Sequence, residues 1–134
     1  MIIIDSNYFY SIFEPNDALH LRAVKFKDKI FDLPILYLED VLKEVQTIIS
    51  VRKSHKACFD WIDSIYRNET DDDRQYTLMN GEYFEILNFW RELGESRLSF
   101  VDAEILYIAN KYKYPVLTFD DELIKRLPSE LVFN

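Results

Sequence analysis

Cysteine occurs once in this 134-residue chain, at Cys58. A single cysteine excludes a disulfide framework, and no Cys/His cluster has the spacing of a zinc site. Only two glycines and four prolines are present. That excludes a collagen-like or low-complexity chain, and no repeat or linker divides the sequence. No apolar run approaches the roughly 20 residues that cross a bilayer, so no membrane partner is expected. The opening "MIII" is too short for a signal peptide and lacks its positive charge, so none is expected. Basic residues are outnumbered 16 to 24, for a net charge of −8. A generic nucleic-acid coat protein would be basic overall. A local basic groove, or a site that concentrates cations, stays open. The simplest setting is reducing, soluble and cytoplasmic.

What is abundant is apolar surface. Nearly half the residues are hydrophobic and 16% are aromatic. The length suits one compact domain, residues 1–134, around a single core. Ile2, Ile3 and Ile4 form a contiguous β-branched run, as in a strand buried on both faces. "EPND" at 14–17 is a break, with Asn16 or Asp17 as cap of a helix reaching about Phe31. Pro34 precedes a short strand over Ile35–Tyr37. Leu38, Val41, Leu42, Val45, Ile48 and Ile49 recur at helical spacing. A second helix covers Ser54 to about Tyr66. "NETDDD" at 68–73 reads as a solvated acidic turn, followed by a strand over Tyr76–Met79. Asn80 starts a helix that Gly94 ends, and Ser99 starts another that reaches about Tyr112. A strand at 116–118, a short helix at Glu122–Arg126 and a strand at Leu131–Phe133 complete the chain. Strands separated by helices imply an α/β domain with a parallel sheet.

Two of these strands stop at aspartates: "MIIIDSN" at Asp5 and "PVLTFDD" at Asp120. In an open parallel sheet, sites form beyond the carboxyl ends of the strands, where strand order reverses. If the two strands are neighbours, the two carboxylates converge. Asp102 reads in two ways. It stands three residues after Ser99, as in a near capping box. It also shares a face with Ile105, Leu106 and Ala109, and an acid on an apolar stripe needs a partner. Glu44 lies at the edge of the stripe formed by Val41 and Ile48, either as a border residue or as part of a site. Asp40, Asp121 and Glu122 suit helix N-termini.

Five segments together carry a resemblance: "MIIIDSN", "EPNDALHLRAVKF", "VLKEVQTIIS", "LSFVDAEILYIANKY" and "PVLTFDDEL". In this order they resemble the PIN-domain ribonucleases, and most nearly the VapC-like toxins of toxin–antitoxin pairs. The resemblance covers essentially the whole chain. It departs from the pattern at Leu38, where proline is frequent, and at Ser6, where many relatives have threonine. Residues 64–79 match nothing that can be placed. The resemblance implies a three-layer α/β/α sandwich with a central parallel sheet ordered 3-2-1-4-5. It implies that Asp5, Glu44, Asp102 and Asp120 form an acidic catalytic quartet. It also implies a small antitoxin and a homodimer as partners.

The chemistry of such a quartet follows from its donors. Carboxylate oxygens are hard ligands that suit Mg²⁺ or Mn²⁺, and no histidine or cysteine accompanies them. Two like charges about 4 Å apart repel by roughly 4 kcal/mol at an effective dielectric near 20. A cation offsets that cost, polarises a phosphodiester and acidifies a bound water. Asp5, Asp102 and Asp120 are the expected direct or water-mediated ligands, with Glu44 for a second ion or the attacking water. Ser6, Asn7 and Thr118 are candidates for orienting the ligands, or else are turn residues at the strand ends. The basic stretches Arg22–Lys29 and Arg52–Lys56 are either backbone contacts for RNA or ordinary solvated faces. His20, His55 and Cys58 read as packing residues. The expected function is a metal-dependent endoribonuclease acting on single-stranded or loop RNA. The alternative is a non-catalytic binding or assembly module on the same fold. A phosphoacceptor domain or an Asp-x-Asp phosphatase needs a second acid just after the first strand, and Ser6 and Asn7 stand there.

Overall fold

Ile2, Ile3 and Ile4 are 2%, 0% and 1% exposed. Successive strand residues face opposite sides of a sheet, so both faces of this strand are covered by helices. The computed structural model describes residues 1–67, 75, 76, 78 and 80–134. In chain order the elements are β1 (Ile2–Ile4), α1 (Ser6–Phe13), α2 (His20–Ile30), β2 (Ile35–Leu38), α3 (Glu39–Arg52) and α4 (His55–Arg67). Then come β3 (Gln75–Tyr76), α5 (Asn80–Glu92), α6 (Phe100–Tyr112), β4 (Val116–Leu117) and α7 (Asp121–Arg126). The acidic stretch 68–73 and part of the strand expected at 76–79 lie outside the described residues. Among the described residues no helix is long and apolar enough to cross a membrane.

The sheet is parallel, in the order β3-β2-β1-β4. β1 is central, with Ile2 opposite Ile35 on one side and Ile3 opposite Val116 on the other. The expected fifth strand at Leu131–Phe133 does not form. Ser129–Leu131 is a 3₁₀ turn after Pro128, and it draws the Leu131 and Val132 N–H groups to Pro128 and Ser129 carbonyls. Those donors are lost to a ladder, so only a single parallel bridge, Val132 to Val116, extends the sheet beyond β4.

α1 was not readable as a helix. Its sequence, SNYFYSIF, is apolar nearly all round and shows no polar stripe. Asp5 starts it as N-cap, accepting the Ser6 N–H at 2.7 Å. α1 packs on α2 and α3, α3 on α4, α5 on α6, and α6 on α7. The core runs through β1, the buried face of α3 (Val41, Leu42, Val45, Ile49) and that of α6 (Ile105, Leu106, Ile108). Each such side chain contributes roughly 1.5–3 kcal/mol by leaving water.

Candidate active site

The chain runs β1, β2, β3 toward one side of the sheet and places β4 on the other side of β1. The reversal of strand order therefore lies between β1 and β4, where an open α/β sheet forms its crevice. Asp5 follows β1 directly, and its N–H donates to Leu117 O at 3.0 Å. Asp120 follows β4 by three residues. The two strands are neighbours, so their aspartates share one edge of the sheet.

A hydrogen-bond web ties the two together. Thr118 Oγ1 donates to Asp5 Oδ2 at 2.7 Å and accepts the Asp120 N–H at 3.1 Å. Asn7 Nδ2 donates to the same Thr118 Oγ1 at 3.3 Å, and Asn7 Oδ1 accepts the Phe119 N–H at 3.2 Å. Asp120 caps α7, with Oδ1 accepting from Glu122 N and Leu123 N. Ser6 hydrogen-bonds Glu44 and reaches Asp5 Oδ1 at 3.4 Å. Ser6, Asn7 and Thr118 thus touch the acids themselves or each other.

Glu44 and Asp102 come from α3 and α6, and both are half-buried. Asp102 completes a full capping box: its Oδ2 accepts the Ser99 N–H at 2.8 Å, while Ser99 Oγ accepts the Asp102 N–H at 3.1 Å. The box engages one oxygen of the carboxylate. The acids also sense one another. Burial lifts Asp5 from 3.8 to about 6; hydrogen bonds from Thr118 and Ser6 oppose the rise, and the charges of Asp102 and Glu44 add to it. Burial likewise raises Glu44, opposed by Ser6 and reinforced by Asp102 and Asp40. Burial raises Asp102, opposed by its Ser99 bonds and reinforced by Asp120. The four carboxylates are thus linked electrostatically in one cluster.

Whether the donors suit a metal turns on their spacing. Among the described residues no set of three or more His, Cys, Asp or Glu side chains converges closely enough to hold a metal ion. The donor type is nonetheless all oxygen. Mg²⁺ keeps several of its waters and is typically bound through one or two carboxylates plus a substrate phosphate. The cluster therefore fits a partly hydrated hard cation, with the remaining acids acting through water.

Glu104 went unrecognised in the sequence. It is buried on α6, 1% exposed, and one of its oxygens, Oε2, has no hydrogen-bond partner. Burial lifts it from 4.5 to about 8, and a hydrogen bond with Asp40 on α3 adds to the rise. The signal was available in "VDAEIL", where an acid interrupts an apolar run. Elsewhere the basic stretches are largely engaged. The Arg22 guanidinium lies 4.6 Å from the Phe119 ring centroid, Lys53 pairs with Glu14, and Lys56 with Asp60 at 2.7 Å. His20 Nδ1 lies 2.7 Å from Ser11 O, and Cys58 is buried, in keeping with packing roles.

This sheet order, with carboxylates gathered at its switch point, defines a PIN-like α/β domain. Three solved structures share the fold. VapC20 of Mycobacterium tuberculosis, described as a sarcin–ricin loop cleaving toxin, superimposes with a TM-score of 0.79 at 20% identity, over 93% of this chain and 94% of that one. FitAcB from Neisseria gonorrhoeae gives 0.69 at 16% identity, over 100% and 97%. PAE2754 from Pyrobaculum aerophilum gives 0.55 at 18% identity, over 98% and 88%. No family model matches the sequence, and no curated protein matches it.

Proposed function

We propose that the protein is a metal-dependent endoribonuclease of the VapC-like kind, acting on single-stranded or loop RNA. The observation that carries this reading is the electrostatic coupling of Asp5, Glu44, Asp102 and Asp120 at the β1/β4 switch point. Gathering like charges costs free energy, and a cation is what offsets it. The description of VapC20 as a toxin that cleaves an RNA loop supports the substrate class.

Bound Mg²⁺ or Mn²⁺ supplies Lewis-acid polarisation of the phosphodiester and a more acidic water. The chain's own residues set the geometry. Asp5, Asp102 and Asp120 hold the ion, directly or through water. Glu44, fixed by Ser6, orients the attacking water. Thr118 and Asn7 lock the Asp5 and Asp120 carboxylates in place, as outer-shell partners do at metal sites. A small antitoxin and a second copy of the chain are the partners this reading carries with it.

The test is cleavage of a labelled RNA stem-loop by purified protein with Mg²⁺ or Mn²⁺. Cleavage is expected to stop in EDTA and in an Asp5→Asn, Asp102→Asn double variant. Undiminished cleavage by that variant overturns the proposal. One observation favours the non-catalytic module instead, namely that no three described acids converge on a metal position. RNA binding without turnover in Mn²⁺ decides for that reading.

A further inference from the structure

A cavity of about 120 Å³ lies beside the acidic cluster, lined by Glu39, Asp40, Lys43, Leu78 and Glu104. It shares Asp40 and Lys43 with an open groove of about 670 Å³ that passes Glu44 and is walled by Ile48, Phe100 and Val101. Glu104 is 1% exposed, lines the cavity, and leaves Oε2 without a partner. A buried oxygen acceptor left unmatched costs roughly 1–3 kcal/mol, more if charged. Lys43 does not meet this need. Its Nζ lies 3.2 Å from Glu39 and 3.4 Å from Asp40, and its side chain is 60% exposed, at the rim.

We propose that this cavity receives the guanidinium of an arginine carried by a partner polypeptide, whose apolar residues lie in the adjoining groove against Ile48, Phe100 and Val101. Charge selects the class of ligand. Glu39, Asp40, Glu44 and Glu104 face a single lysine here, which repels a polyphosphate and attracts a cation. Geometry selects among cations. Among the described residues no three acids converge tightly enough for a metal ion. A guanidinium spreads five donors over a planar fork and can serve two separated carboxylates at once. Size agrees. The cavity is well below the roughly 300 Å³ at which small-molecule pockets begin, so it takes one side-chain head while the groove takes the rest. The site is separate from the Asp5–Asp120 edge and is tested without RNA, so cleavage has no bearing on it.

The probe is a capped Leu-Arg-Phe tripeptide, titrated into isotope-labelled protein and followed by NMR. Shifts are expected at Lys43, Phe100, Val101 and Glu104. The matching citrulline peptide, a neutral isostere, is expected to bind at least tenfold more weakly. Glu104→Gln and Asp40→Asn, both close in shape to the native residues, are each expected to lose at least tenfold for the arginine peptide. Asp5→Asn is expected to stay within twofold of wild type. Equal affinity for arginine and citrulline peptides overturns the proposal, as does full affinity in both Glu104→Gln and Asp40→Asn. Loss in Asp5→Asn alone places the probe at the other acids and also overturns it. Shifts caused by a short single-stranded oligonucleotide but not by the peptide assign the groove to nucleic acid. Concentration-dependent shifts in the protein alone assign it to a second copy of the chain. Either result rejects a peptide partner.

Discussion

Replacing Asp5 by asparagine removes one charge from the cluster and little else. Asparagine is as good an N-cap as aspartate, so the Ser6 N–H keeps its acceptor. The native carboxyl is held at about 6, against 3.8 in a free side chain. The folded state therefore binds more protons than the unfolded state between about pH 4 and pH 6, and stability falls as pH rises through that window. Above it the accumulated penalty is about 3 kcal/mol. The substituted side chain does not recover all of this. Its amide must donate toward Thr118 Oγ1, which already accepts from Asn7 and from Asp120 N, at a cost of about 1 kcal/mol. The net expectation at pH 7 in EDTA is a gain of about 1–2 kcal/mol, a rise of roughly 3–8 °C in melting temperature. At pH 4 the gain vanishes. Mn²⁺ reverses the order, because wild type gains about 2.7 kcal/mol at a hundred times its dissociation constant and the variant loses most of that. Thermal melts at pH 4 and 7, with EDTA or Mn²⁺, read all of these. An Asp5→Asn protein that melts below wild type in EDTA at pH 7, yet gains as much from Mn²⁺, refutes the view of Asp5 as a strained ligand.

Glu104→Gln probes the second acid held far from its ordinary range. Glu104 sits at about 8 rather than 4.5, so stability falls as pH rises between those values, by up to about 4–5 kcal/mol; urea melts of the glutamine variant should show a flatter pH dependence and higher stability at pH 8. Ser99→Ala removes one half of the α6 capping box and should cost about 0.5–2 kcal/mol equally in EDTA and in Mn²⁺, leaving the metal-induced shift in melting temperature unchanged.

The parts of the fold that were legible in the sequence are those where pattern and position agree. Three β-branched residues before Asp5 left little choice for β1, and the helical spacing from Val41 to Ile49 left little for α3. Asp5, Asp120 and Thr118 were found because strand ends in a parallel sheet are where sites form, and that rule needs no knowledge of side-chain contacts. α1 was hidden because SNYFYSIF carries no polar face; its helix depends on the Asp5 cap and on packing against α2 and α3. The end of the chain was misread because Leu131, Val132 and Phe133 have strand-like composition. There the preceding Pro128 and its 3₁₀ turn consume the donors that a ladder would need. Glu104 was hidden for a different reason. Its partner Asp40 lies 64 positions earlier, and only the meeting of α3 with α6 reveals that two acids share a buried place.

Asp102 shows why a capping role and a site role were wrongly posed as alternatives. A carboxylate has two oxygens and about four lone-pair directions, so one contact does not exhaust it. Oδ2 serves the Ser99 N–H and anchors the first turn of α6. The same side chain is half-buried, raised by that burial, and sensitive to the charge of Asp120. The cap fixes the rotamer, and a fixed rotamer is what a preorganised ligand requires. Asp120 repeats the arrangement on α7, where Oδ1 takes two N–H groups, and Asp5 repeats it on α1. Three of the four acids are thus held by the N-termini of three different helices. The positive ends of those helices lower the cost of bringing the negative charges together, and the hydrogen bonds keep the carboxylates in place before any cation arrives.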